Sequence, residues 1–323
     1  MLISGLVIGV VFGFLVQRGQ FCFTSGFRDI YWQRDFSFLF ALFIAITIQS
    51  IGLFTLSTLG LLRLPTTPLP LLATLIGGLV FGVGMAIARV CATGGWFRSG
   101  EGVIGASVTL FVFTLMLTSA QSGSLKPILS PLLKSPLESS NIYLTLGISP
   151  WWLVGAMICA TLGLFFVCRK HPHKSKLYLT ATALGVLGVV AWVASAWSGR
   201  NYGFGISVPT MHLFQYLTTG QQRYLNWGTL FVLGIFIGSF ISAKAYKEFE
   251  WRALNGMDFL RSVCGGVLMG VGAYLAGGCT ATNVLVATAY FSWQGWIAMT
   301  AMIVGCVIGS SFFRVKHCEL RRK

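Results

Sequence analysis

The chain predicts an all-α integral membrane protein of about nine transmembrane helices plus re-entrant loops, arranged as inverted internal repeats. Three observations carry this. Hydrophobic residues make up 55% of the 323 positions and charged residues only 10%, too little charge to cover a soluble core of this size. Several apolar runs approach the roughly 20 residues that cross a bilayer. A glycine pattern ending in cysteine, Gly77 to Cys91, recurs 188 positions later as Gly265 to Cys279.

The spanning segments are expected at 2–16, 36–60, 71–90, 102–119, 151–168, 178–197, 227–243, 259–277 and 295–313. The first lacks a basic n-region and a cleavage site, so it reads as a retained helix. Four stretches are too polar or glycine-rich to span and are expected to dip into the protein: 17–35, 91–101, 199–222 and 278–292. In the last, apolar 284–291 is too short to cross. Pro65, Pro68 and Pro70 mark a tight loop. The whole chain, 1–323, reads as one polytopic membrane domain. Its N-terminal half, 1–119, holds the Cys22 and Cys91 motifs. A loop at 120–150 leads to a C-terminal half, 151–323, with the Cys279 motif. The 39 glycines suit helices packed closely in lipid.

The net charge of +15 reads as a topology signal and not as a nucleic-acid footprint. Basic clusters follow three helices: Arg169 to Lys176, Lys244 to Arg252, and Arg314 to Lys323. Nine crossings put all three on one side, expected to be the cytoplasm, with the N-terminus outside. The same count sets helices 71–90 and 259–277 in opposite orientations, the signature of an inverted repeat with its site between the halves.

The eight cysteines show no C-x-x-C, and His171, His173, His212 and His317 lack metal-ligand spacing to them. No metal is expected, and no cofactor. No Walker motif is present, so the chain itself does not use ATP. A weaker third copy of the pattern ends at Cys22. Cys22, Cys91 and Cys279 each close a hydrophobic helix and precede Thr24, Thr93 or Thr280. Glycine and threonine at helix breaks can offer N–H groups and hydroxyls to an anion. A thiol in apolar surroundings stays neutral and can donate weakly to a soft sulfur atom. The repeated register therefore points to a thiol-lined transport pathway for something that interacts well with sulfur. Cys159, Cys168, Cys264 and Cys306 read as small hydrophobes, and Cys318 as incidental. Arg18, Arg28, Arg89 and Arg98 are candidates for anion attraction or gating. Arg28–Asp29 and Arg34–Asp35 read as interfacial pairs. Glu101 reads as the start of a helix, where a carboxylate favours the dipole.

The motifs QRGQFCFTSGFRD (17–29), VCATGGWFRSGEG (90–102), NWGTLFVLGIFIGSF (226–240) and GGVLMGVGAYLAGGCTATN (265–283) resemble the YeeE/YedE family of sulfur-transport membrane proteins, within it the thiosulfate transporters. The resemblance runs from Gly5 to about Gly309. It implies an hourglass-like central pathway with loops entering from both faces. It also implies thiosulfate uptake across the inner membrane, with Cys22, Cys91 and Cys279 handing the ion along and Cys91 central. A small TusA-like sulfur-carrier protein at the cytoplasmic side is an implied partner. The chain departs from the pattern at Arg89–Val90, where Gly-Gly is expected, and this leaves the anion open to a selenium relative. A membrane thiol oxidoreductase is the second class, disfavoured because such enzymes carry closely paired cysteines. A structural subunit that recruits the sulfur carrier is a third.

Overall fold

The computed structural model describes residues 2–66, 69–133, 141–168 and 174–312. Pro68, His171, His173, the basic residues Arg169 and Lys170, and the C-terminal cluster with His317 and Cys318 lie outside the described residues. Among the described residues nine helices are 18–22 residues long. They are α1 (Leu2–Gly19), α3 (Ser37–Thr58), α4 (Leu71–Ala88), α6 (Ile104–Ser122), α7 (Pro150–Cys168), α8 (Ser175–Ala196), α10 (Trp227–Ala245), α11 (Gly256–Leu275) and α12 (Trp293–Phe312). Each falls on a segment expected from hydropathy. Seven candidate spans are long and apolar enough to cross a membrane. Helices α7 and α11 are not among them: α7 counts only as a shorter apolar stretch, Pro150–Phe166, and the first turns of α11 carry Asp258 and Arg261.

Four short helical pieces occupy the four stretches expected to dip. They are α2 (Phe23–Trp32), α5 (Ala92–Gly100), α9 (Ser207–Thr219) and a π-helical segment (Ala281–Ala287). Helix α2 continues α1 and α5 continues α4, so that Leu2–Trp32 and Leu71–Gly100 read as single broken spans.

Glycine contacts give the relative directions. Gly9 lies on Phe231 and Gly13 on Ile235, so α1 and α10 run parallel. Gly82 meets Met302 and Gly309 meets Ala86, so α4 and α12 also run parallel. Gly84 meets Gly265 while Gly77 meets Leu275, so α4 and α11, which carry the same motif, run antiparallel. These directions agree with the helix parity expected from nine crossings.

The packing recurs between halves. Helix α1 packs on α10 as α8 packs on α3, α4 on α12 as α11 on α6, and α2 on α12 as α9 on α6. This matches α1 with α8, α2 with α9, α3 with α10, α4 with α11, α5 with the π segment, and α6 with α12. Helix α7, against α3, has no counterpart in the set.

Both breaks lie inside the span. Ala88, the last residue of α4, packs at Gly265. Nine residues of α11 precede that level, about 13 Å at the helical rise. The end of α11 packs at Gly77, six residues and about 9 Å into α4. The broken helices reach opposite faces. On the first face Val103 pairs with Arg252, and on the second Asn141 pairs with Ser292.

Candidate functional site

One backbone device makes three of the breaks. Two residues before each cysteine the chain turns left-handed, at Gln20 (φ 48°), Arg89 (φ 59°) and Gly277 (φ 70°). This ends the preceding helix in the manner of an αL cap. The cysteine then stands at the head of the next helical piece. The carbonyls of Cys22, Cys91 and Cys279 accept the N–H groups of Gly26, Gly95 and Asn283 at 2.7–3.0 Å. The free N–H groups of each first turn are left for side chains or a ligand.

The thiols are not equivalent. Cys91 Sγ accepts the Gly94 N–H at 3.3 Å, which leaves its own S–H to donate. Cys279 Sγ stands 3.7 Å from Thr282 Oγ1, and its N–H donates to Ser207 Oγ at 2.9 Å. Cys22 Sγ takes a contact from Arg98 Nη2 at 3.7 Å. All three are buried. Cys22, Cys279 and the Thr280 hydroxyl lie within electrostatic reach of Cys91, so the structure brings the thiols together around it. The Thr24 and Thr93 hydroxyls are buried without a hydrogen-bond partner, and the buried Thr280 hydroxyl has only the Cys91 thiol to bond to. Unsatisfied buried hydroxyls are costly. These hydroxyls beside three thiols make a place chemically suited to a polar ligand.

The fourth break, at Ile206–Ser207, carries no cysteine. Ser207 stands there and is tied directly to Cys279. Cys306, read from the sequence as a small hydrophobe, also lies near the cluster. It is fully buried in α12, donates to the Thr24 carbonyl at 3.7 Å, and has Cys22 and Cys91 within reach. Its apolar helical surroundings look like plain core, so no local signal marked it. Cys159 and Cys264 are exposed on outer helix faces, away from the thiol cluster.

The arginines divide. Arg18 is held by Glu248 at 3.1 Å and lies over the Tyr246 ring. Arg28 pairs with Asp29 at 2.9 Å. Arg89 and Arg98 line a cavity of about 200 Å³ on the first-face side of Cys91, with Arg252, Arg261, Glu101 and Asp258. Arg89 reaches toward Asp258 at 3.9 Å. Two expectations need correction. Asp35 pairs with Lys174, not Arg34, because it also caps the Ser37 N–H and so faces the start of α8. Glu101 does not begin a helix. It caps the C-terminal end of α5, and α6 starts only at Ile104. Burial pushes the Glu101 carboxyl up, opposed by Arg98, Gln20, Gln17 and Arg252.

Residues 18–308 match the sulphur-transport family. The chain is 41% identical to the thiosulfate transporter TsuA of Escherichia coli K12, over 94% of this chain and 92% of that one. It is 33% identical to the thiosulfate transporter TsuA of Spirochaeta thermophila, over 94% and 97%. A shorter match, 36% identical over 31% of this chain, joins it to the probable transporter YedE of Escherichia coli K12. A buried, repeated thiol cluster and matches over nearly the whole length lead to one assignment: the chain belongs to the sulphur-transport (YeeE/YedE) family.

Proposed function

We propose that the chain takes up thiosulfate across the inner membrane through a constriction lined by the thiols of Cys22, Cys91 and Cys279. The convergence of Cys22, Cys279 and Thr280 on Cys91 carries this reading. The terminal sulfur of thiosulfate is soft and polarizable, and a thiol S–H is a weak donor suited to it. Weak successive contacts let a site release what it binds. The first turns of α2 and α5 add N–H groups and positive dipole ends for the oxygens. The names of the two long relatives support thiosulfate over other sulfur or selenium anions.

The ion enters at the second face, passes Cys279, Cys91 and Cys22, and leaves through the arginine-lined cavity at the first face. That face is the cytoplasmic one in this reading, because Lys244, Lys247 and Arg252 lie there; the N-terminus is then outside. Residues 1–119 and 151–323 act as inverted halves joined by 120–150, with α7 added to the second. A membrane potential opposes anion uptake by about 2.3 kcal/mol per charge per 100 mV. Uptake therefore needs a steep gradient, a coupled cation or cytoplasmic consumption, and a TusA-like sulfur carrier docked at the first face would supply the last.

The test is growth of a host lacking its own sulfate and thiosulfate uptake, supplied with this chain and one sulfur source. Growth on thiosulfate but not sulfate is expected, and Cys91→Ala is expected to abolish it at equal expression. Cys22→Ala and Cys279→Ala should be partly to severely impaired. Normal growth of Cys91→Ala would sink the thiol pathway.

A further inference from the structure

A partly buried arginine outside the thiol cluster has no role in the pathway described so far. Arg200 sits in the 197–206 connection between α8 and α9, on the second-face side. The connection is stapled to the end of α8. Arg200 N–H donates to the Ser195 carbonyl at 3.0 Å, and Ser195 Oγ donates to the Tyr202 carbonyl at 2.5 Å. This aims the guanidinium inward. Its Nη2 would stand 2.5 Å from a Cβ on Gly205, and its Nη1 2.8 Å from one on Gly228. Those glycines leave the room the head group fills.

Among the described residues, Nη1 of Arg200 is buried with no hydrogen-bond partner, and no carboxylate pairs with the side chain. The Tyr202 and Trp227 rings, 5.7 and 5.8 Å away, offer cation–π attraction. That is a weak substitute for the water a guanidinium gives up. Tyr202 is in turn a neighbour of Tyr290 and Cys279, so the cation stands one layer above the second-face thiol. Ser207, seven residues on, already holds Cys279 in place. A charge left uncompensated beside a conduction site calls for an anion.

We propose that Arg200 is the specificity-determining residue of the second-face mouth, holding the sulfonate oxygens of thiosulfate while its terminal sulfur is presented to Cys279. This rests on the transport reading above. The guanidinium fork matches a sulfonate, and hydrogen bonds between ions are stronger than neutral ones. The residue therefore selects for a charged head, and the thiols select for the soft tail. A neutral thiol compound satisfies only the second demand. Sulfate satisfies only the first.

The test uses the full-length protein in proteoliposomes and in detergent. Arg200→Met keeps the volume and removes the charge; Arg200→Lys keeps the charge. Arg200→Met is expected to raise the KM for thiosulfate by about tenfold or more, the loss of one charge-assisted contact. Its melting midpoint without substrate should not fall, because a buried Nη1 without a hydrogen-bond partner has been removed. Arg200→Lys should recover most of the affinity. An unchanged KM in Arg200→Met would overturn the proposal. So would a lowered midpoint with Arg200→Lys equally defective, which is what a purely structural arginine predicts. Failure of the wild type to import would remove the transport reading instead. Binding then judges Arg200 alone: a thiosulfate-induced rise in midpoint of Cys91→Ala that is absent from Arg200→Met supports the site, and no rise in Cys91→Ala overturns it.

Discussion

The breaks before Cys91 and before Cys279 follow the same path in different surroundings. Arg89 and Gly277 hold equivalent positions, and both are left-handed, at φ 59° and 70°. A Cβ at Gly277 would collide with the side-chain amide of Gln294, which donates to the Ala276 carbonyl at 2.9 Å. At Arg89 the side chain leaves through the cavity toward Asp258. The turn is required at both sites, whereas glycine is required only where a neighbour occupies the space of the Cβ. The Arg89–Val90 departure from the Gly-Gly pattern is thus a local accommodation. It costs roughly 1 kcal/mol of backbone strain and adds a cation to the first-face cavity.

Substitution at Gly277 should break the comparison most severely. Gly277→Ala combines left-handed strain with the collision, an expected loss of about 2 kcal/mol or more. A melting curve should show it, and uptake should fall with it because Cys279 moves. A melting point and uptake like wild type would mean that Gln294 yields at no cost.

The hydroxyls beside the thiols come next. Thr280→Val keeps the shape and removes a hydroxyl whose one partner is the Cys91 thiol, so stability should change by no more than about 1 kcal/mol. Thiosulfate uptake should decline at the same time, since that donor faces Cys91. Thr93→Val should behave alike on the other side of the break. Stability and uptake falling together would assign these hydroxyls to packing.

Arg89→Gly should have the smallest effect. It relieves the left-handed strain and gives up only a loose, half-exposed pair with Asp258, worth little. A gain of up to about 1 kcal/mol and uptake within about twofold of wild type are expected. A large loss of uptake would make Arg89 part of the conduction route and the departure functional.

Much of the site was legible before any fold was known. The register of Cys22, Cys91 and Cys279 and the threonines after them could be read from spacing alone, since a repeated break repeats its residues. Cys306 could not be read this way, because it reaches the site from the middle of an apolar helix. Nothing in the sequence singled out Arg200, and only packing against Gly205 and Gly228 shows its guanidinium turned inward. Glu101 was misplaced because its sequence neighbours suit the end of one helix and the start of the next equally well. The Asp35–Lys174 pair joins residues 139 positions apart, and adjacency in sequence favoured Arg34 instead.

The sequence by itself determined the class of molecule, the places of its long helices, its four dips and the opposed copies of its motif. Hydropathy, glycine spacing and charge act over a single helix or turn, so they survive in a one-dimensional reading. Only the tertiary structure decided that Cys22 and Cys279 gather around Cys91, that Ser207 at the fourth break is tied to Cys279, and which arginines are paired. Those outcomes depend on which helices touch. Closely approaching glycine backbones set those contacts between helices far apart in the chain.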